Sequence, residues 1–230
     1  MNAQRIIGQI SDKIFHSDFN ILGSAFDPVD KFSLEISDLI SSSIKNDVPP
    51  ALISNEALDK PMLEVVNRFK EDDYEFVEMI ARAKLTGEAR DSLADHVEET
   101  ESLNKGTMLL ATVEGEYHRH GKDIISSLVR GIGFDTIDLG FGISTSEIFD
   151  SVNEHQPDYL GISAYTRTTI PELQEMVDNI QASKAAEKTT VILGGFLAID
   201  NEADAIDADY RCSNIQQSID LLLNLAYSSN

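Results

Sequence analysis

The spacing of apolar residues changes character near residue 104, and no single layer architecture accommodates both parts. From Ala3 to about Val97 apolar side chains recur three and four residues apart, and no stretch alternates as a strand would. One helix is expected over Arg5–Phe15, carrying Ile6, Ile7, Ile10 and Ile14. A second starts at Asp27-Pro28 and runs through Phe32, Ile36, Leu39, Ile40 and Ile44 until Val48-Pro49-Pro50 breaks it. A third runs from about Ala51 to Phe69, kinked or divided at Pro61, and a fourth from about Phe76 to His96. Four helices with short joints make a small bundle.

After the polar stretch from Glu101 to Gly106, short apolar runs alternate with amphipathic segments. Strands are expected at Thr107–Val113, Thr136–Leu139, Tyr159–Ser163, Val191–Leu193 and about Asp209–Cys212. Helices are expected at Lys122–Arg130, Thr145–Glu154, Pro171–Lys184, Ala198–Ile206 and Ile215–Tyr227. Ser144-Thr145-Ser146-Glu147 and Thr169-Ile170-Pro171-Glu172 both have capping-box spacing. Such alternation implies an α/β unit, with parallel strands joined by right-handed crossovers and ligands bound at the carboxyl ends of the strands. The chain therefore divides into a helical domain over 1–103 and a Rossmann-like, five-stranded parallel-sheet domain over 104–230.

Bulk properties remove several function classes. Cys212 is the one cysteine, so neither an internal disulfide nor a thiolate zinc site can form from this chain. A net charge of −22 opposes nucleic-acid binding, which needs a basic stripe to neutralise phosphates. The acids cluster at Glu71-Asp72-Asp73, at Glu98-Glu99-Glu101 and from Asp200 to Asp209; they suit solvated faces, or docking to basic partners. With no apolar run of spanning length and no basic-then-apolar leader, no membrane role is expected and a cytoplasmic location is.

The stretch that speaks to chemistry is Thr112–Lys122, directly after the first strand. An extended loop lets Glu116 and His118 point the same way, and a metal-binding histidine gives its second nitrogen to a carboxylate. Gly121 would let the chain turn tightly into the next helix. On spacing alone the same stretch suits a polar loop with an incidental histidine. Two further strand ends carry hydroxyls and glycines: Gly161 to Thr169, and Leu193-Gly194-Gly195-Phe196. Glycines there could expose backbone to a ligand or simply make turns, and Thr169 could bind or cap. Gly131-Ile132-Gly133 and Gly140-Phe141-Gly142 do not complete a dinucleotide fingerprint.

Together these motifs resemble the cobalamin-binding domain of methionine synthase, the cobalamin mutases and the small corrinoid proteins of methyltransferase systems. The family carries Asp-x-His-x-x-Gly, Ser-x-Leu and Gly-Gly after its first, third and fourth strands. Here they read Glu116-Tyr117-His118-Arg119-His120-Gly121, Ser163-Ala164-Tyr165 and Gly194-Gly195, and the likeness covers essentially Gly106–Leu225. Met62 to Phe69, with Asp72-Asp73-Tyr74, is similar to the helical module that shields the upper corrin face in this family. Tyr74, Phe76 and Met79 are candidates for that cap, with packing inside the bundle as the alternative.

The resemblance implies a carrier rather than an enzyme: a corrinoid subunit that binds cobalamin with its base off cobalt and His118 as the lower ligand. It implies a slot for the nucleotide tail lined by Ser163 and Gly194-Gly195. Glu116 would hold the far nitrogen of His118, and Thr169 would hold Glu116. Partners implied are a donor-specific methyltransferase, an acceptor methyltransferase and a reductive activator. The alternative on the same fold is a non-catalytic cobalamin sensor or storage module. Glu116 stands where the family has Asp, longer by one C–C bond of about 1.5 Å. Tyr165 replaces Leu beside the slot, Arg167 and His120 bring polar groups toward the corrin edge, and Tyr117, Arg119 and Phe196 complete the expected contacts.

Overall fold

The computed structural model describes residues 3–17, 27–97, 104–116, 120–183 and 188–227. Its contacts divide the chain into two compact units, residues 1–104 with 130–133, and residues 105–129 with 134–230.

The first unit is helical: α1 (Ala3–His16), α2 (Asp27–Lys45), α3 (Pro50–Ile53), α4 (Lys60–Lys70) and α5 (Phe76–Ala94). Between α3 and α4 lies a π-helical stretch, Ser54–Asp59. Pro61 accounts for it. Having no N–H, it cannot bond to the carbonyl of Ala57, and the preceding turn widens until Lys60 N donates five residues back to Asn55 O. The expected division at Pro61 is thus a change of hydrogen-bond register. Ile6, Ile10 and Ile14 of α1 share one core with Ile36 and Ile40 of α2 and Leu85, Ala89 and Leu93 of α5. Beyond α1, the Tyr74 hydroxyl donates to Phe15 O at 3.1 Å and Arg82 Nη2 to Ser17 O at 3.2 Å. The Arg82 guanidinium also lies 4.6 Å from the Tyr74 ring centre. These groups satisfy carbonyls that a helix end leaves over. Met79 is fully buried, so it and Tyr74 serve packing inside this unit.

In the second unit β1 (Thr107–Val113), β2 (Asp135–Ile143), β3 (Tyr159–Ser163), β4 (Thr190–Gly194) and β5 (Tyr210–Cys212) form a parallel sheet in the order β2-β1-β3-β4-β5. The helices are α6 (His120–Ile132), α7 (Thr145–His155), α8 (Ile170–Ala182) and α9 (Ile215–Tyr227). The chain reverses direction across the sheet between β1 and β3, and right-handed crossovers then put α6 on one face, α7 and α8 on the other. On the second face Leu109, Ala111 and Val113 of β1, Leu160 and Ile162 of β3, and Val191 and Leu193 of β4 meet Ile148, Val152, Leu173, Met176, Val177 and Ile180. α7 begins as its capping box requires: Glu147 N donates to Ser144 Oγ at 3.3 Å, and Ser144 N to Glu147 Oε2 at 3.1 Å. The Ser144 hydroxyl and backbone N–H hold the Glu147 carboxyl below its usual range.

Three local expectations need correction. β2 does not stop at Leu139 but continues to Ile143, because Gly140 (φ +93°) and Gly142 (φ +68°) take left-handed conformations at register shifts against β1. These glycines bulge an edge strand rather than end it. The segment expected as a helix over 198–206 is two 3₁₀ turns, Phe196–Ile199 and Asn201–Ala203. Asp200 separates them in extended backbone and accepts from Glu202 N at 3.0 Å, restarting the turn. Thr169 does not cap α8. It ends a 3₁₀ turn, Arg167–Thr169, in helical backbone, so its hydroxyl donates back to Thr166 O at 2.7 Å.

Candidate functional site

A middle strand of a parallel sheet is ordinarily buried on both faces. β3 is not. Leu160, Ile162 and Ala164 are buried toward α7 and α8, whereas Tyr159, Gly161 and Ser163 on the other face are only half-buried. Gly194, at the end of β4, is half-buried on that same face. The register sets Thr112, Ser163 and Gly194 side by side in one row, with Leu110, Gly161 and Ile192 in the row beneath. Ser163 and Gly194 thus make a small-residue pair at the carboxyl ends of β3 and β4. A Cβ on Gly194 would touch only Ile162 O, at 3.7 Å; one on Gly161 would strike Leu110 Cδ2 at 2.6 Å. The result is a slot at the switch point of the sheet, where such folds take ligands.

The loop after β1 stands beside this slot. Gly115 turns it with φ +80°, and Glu116 N donates to Val113 O at 3.1 Å. Glu116 is 2% exposed, and its Oε2 accepts from Tyr165 N at 3.0 Å and from Thr166 Oγ1 at 3.3 Å. A buried carboxylate needs such donors, and here they tie the loop after β1 to the loop after β3. The hydroxyl bonded to Glu116 is therefore that of Thr166, in extended backbone, whereas Thr169, expected there, is turned toward the Thr166 carbonyl. Tyr117, His118 and Arg119 lie outside the described residues. His120 and Gly121 are exposed at the start of α6. Gly121 has no positive φ, and a Cβ on it would meet nothing within 4 Å; the chain entering α6 over 117–119 lies outside the described residues.

Around these groups lie two ion-pair clusters. Lys122, 5% exposed, donates to both carboxylate oxygens of Asp138 at 2.7 and 2.6 Å and lies 3.1 Å from Asp123. Asp138 also accepts from Gly140 N at 2.8 Å, so the first turn of α6 is fastened to the bulge in β2. Sequence reasoning missed this lysine. The readable signal was a cation in the first turn of a helix, where the helix dipole disfavours it unless an acid is near. Arg167 bonds to Asp200 and, at 2.8 Å, to Glu202, fastening the loop after β3 to the turns after β4. Arg167, first, and Glu202 N hold the Asp200 carboxyl below its ordinary 3.8. Gly195 (φ +84°) leads into those turns, where Phe196 is 42% exposed, and Tyr165 across from it is 39% exposed.

Among the described residues no group of three His, Cys, Asp or Glu side chains could hold a metal ion, and no helix is long and apolar enough to cross a membrane. The arrangement is that of a doubly wound α/β domain, a fold that takes ligands at the carboxyl edge of its sheet, at the switch point. Residues 106–213 match the B12 binding domain. The chain is 30% identical over 178 residues to the dimethylamine corrinoid protein of Methanosarcina barkeri, covering 76% of this chain and 83% of that one. It is 26% identical over 176 residues to dimethylamine corrinoid protein 1 of Methanosarcina acetivorans, covering 76% and 83%. The chain belongs to the corrinoid protein family: it is a cobalamin-binding carrier, not a catalyst. Its fold is shared with the methanol:cobalamin methyltransferase complex MtaBC from Methanosarcina barkeri, at a TM-score of 0.68 and 19% identity over 95% of this chain and 84% of that one.

Proposed function

We propose that the chain binds cobalamin with the nucleotide tail laid in the slot over β3 and His118 as lower axial ligand, and that it carries a methyl group between two partner methyltransferases. The observation that carries this reading is the half-open end of β3 and β4 at Ser163 and Gly194, two small residues side by side at the carboxyl edge of the sheet. A flat heteroaromatic base fits over such a pair. Ser163 offers a hydroxyl to its polar edge, and Gly194-Gly195 let it approach the backbone.

Bound cobalamin supplies the cobalt that accepts and gives up the methyl group; the protein's part is orientation, ligation and access. Glu116, fixed by Tyr165 N and Thr166 Oγ1, stands two residues before His118 as an acceptor for its second ring nitrogen. Exposed Tyr165 and Phe196 flank the carboxyl edge, where they would meet the rim of the macrocycle. Arg167 is spoken for by Asp200 and Glu202, and serves to hold the loop carrying Tyr165 rather than to bind the corrin. The names of the relatives support a methylated amine as the methyl source. The partners are then a donor-specific methyltransferase, an acceptor methyltransferase and a reductive activator.

Reconstitution with hydroxocobalamin followed by desalting tests the reading. Corrin absorbance should stay with the protein, and its loss would remove the proposal. For the ligand, His118→Ala should alter the cobalt–nitrogen coupling in the electron paramagnetic resonance spectrum of the reduced, paramagnetic cobalt. An unchanged spectrum would mean that this nitrogen never reaches the metal. Methyl transfer from a methylamine-dependent partner separates a carrier from a storage module.

A further inference from the structure

Thr112 is fully buried near the end of β1, and among the described residues its Oγ1 is a buried side-chain polar atom without a hydrogen-bond partner. It sits in the row of the slot floor, directly across from Ser163 and two strands from Gly194, with Leu110 and Gly161 in the row beneath. A threonine hydroxyl with nothing to bond is unusual, since such groups ordinarily reach a carbonyl on their own strand or the next. Nor does packing explain the choice: valine has the same shape and as strong a preference for strands, and it would leave no polar atom unpaired. The residue costs the free protein stability that its isostere would keep.

We infer that Thr112 is a specificity-determining residue for the nucleotide tail of the corrinoid, its hydroxyl donating to an acceptor atom of the buried base. This rests on the proposed base-off binding and deepens it. A base withdrawn from cobalt brings a bare ring nitrogen into the protein, and a buried acceptor requires a donor. Ser163 supplies one hydroxyl on the floor and Thr112 the second, one strand away. Together they can recognise a heteroaromatic ring with two polar atoms on its edge, while Gly194 leaves room for its plane. Corrinoids that lack the nucleotide gain nothing from either group.

The experiment compares cobalamin with cobinamide, which keeps the corrin ring and lacks the nucleotide, on the wild-type chain and on Thr112→Val and Thr112→Ser. The wild type should prefer cobalamin. Thr112→Val should lower that preference about tenfold with cobinamide affinity unchanged, a hydrogen bond lost with no change of shape. Thr112→Ser, which keeps the hydroxyl, should hold most of the preference. Without ligand, Thr112→Val should melt about 2–4 °C higher than wild type, because an unpaired buried hydroxyl has gone. Three results overturn the inference: an undiminished preference in Thr112→Val, a preference lost equally in Thr112→Ser, or a lower melting temperature for apo Thr112→Val. Should the valine chain not fold, the hydroxyl has a structural partner and the inference falls with it. A wild type that retains neither corrinoid removes the cobalamin reading itself, and the two failures are thereby separate.

Discussion

Gly194 and Gly195 stand next to each other, yet one alanine should cost stability and the other cofactor. Gly195 has φ +84° and ψ −165°, a region open essentially to glycine alone, where another residue is strained by about 1–3 kcal/mol. A Cβ there would lie 2.5 Å from Ala164 O and 2.9 Å from Tyr165 Cε2. Ala164 cannot give way: its N–H donates to Gly194 O at 3.1 Å, and its carbonyl accepts from Leu197 N at 3.1 Å. Overpacking adds about 1–3 kcal/mol. Gly195→Ala should therefore lose about 2–6 kcal/mol, lowering the melting temperature by roughly 5–20 °C. At Gly194 the new methyl meets only Ile162 O at 3.7 Å, an ordinary contact. Replacing a strand glycine by alanine is itself worth about 0.5–1 kcal/mol, so the apo protein should be unharmed or slightly firmer. That methyl, however, rises from the half-open floor. If it displaces a fitted base by the same overpacking cost, cobalamin affinity falls roughly ten- to a hundredfold. Urea denaturation of both apo variants, with equilibrium dialysis against hydroxocobalamin, reads both effects. Equal destabilisation of the two variants, or wild-type affinity in Gly194→Ala, would refute the assignment of one glycine to the turn and the other to the slot.

The clamps between the loops give further expectations. Glu116→Ala leaves Tyr165 N and Thr166 Oγ1 without their buried acceptor and should cost about 1–3 kcal/mol in urea denaturation, while Glu116→Gln, which keeps an acceptor oxygen, should lose less. Equal losses would show that these two bonds do not carry the effect. Lys122→Met should release the first turn of α6 from β2, seen as faster amide exchange at residues 122–124 with α8 unaffected; unchanged exchange would make the Asp138 pair incidental. The Asp200 carboxyl is depressed in the folded state, so its contribution is present above the unfolded value of 3.8 and lost as pH falls through the lower folded one. Asp200→Asn should accordingly flatten the acid limb of melting temperature against pH, and a limb as steep as the wild type's would contradict that.

What the sequence disclosed was what repeats or pairs locally. The isoleucines of α1 mark their buried face by spacing, and Ser144 with Glu147 marks the start of α7 because both halves of the cap lie within four residues. The end of β2 was less legible: the strand expected to stop at Leu139 continues through Gly140 and Gly142 as bulges, which depends on pairing with β1. The left-handed turn at Gly115 was likewise not written in residue type. The hydroxyl bonded to Glu116 is likewise a matter of reach. The family resemblance pointed to Thr169, but in the 3₁₀ turn before α8 that hydroxyl donates to Thr166 O, and Thr166 Oγ1 bonds to Glu116 instead. Thr112 was invisible for a related reason: a missing partner is a property of three dimensions only.

The two faces of β3 explain how one short strand serves both fold and cofactor. Successive side chains point to opposite sides, so Leu160, Ile162 and Ala164 can be committed to the dry core with α7 and α8 while Tyr159, Gly161 and Ser163 on the other side stay half-buried, Tyr159 edge-on to the buried Phe134 ring. Leaving them so carries a cost, because a central strand with a half-open face forgoes burial that an apolar side chain there would have contributed. The neighbouring strands do not repeat the division: β1 is buried on both faces from Met108 to Val113, Thr112 included, and β4 opens only at its end, at Gly194. The alternation of period two thus belongs to β3. Truncations at Leu160, Ile162 or Leu193 should act on denaturation midpoints, and enlargements at Ser163 or Gly194 on cobalamin affinity. A chain with valine or isoleucine at Ser163 and Gly194 would hold a firmer sheet and, on the proposed reading, have no place for the base, whereas Gly161 is required by the fold itself, because a Cβ there would strike Leu110 Cδ2 at 2.6 Å.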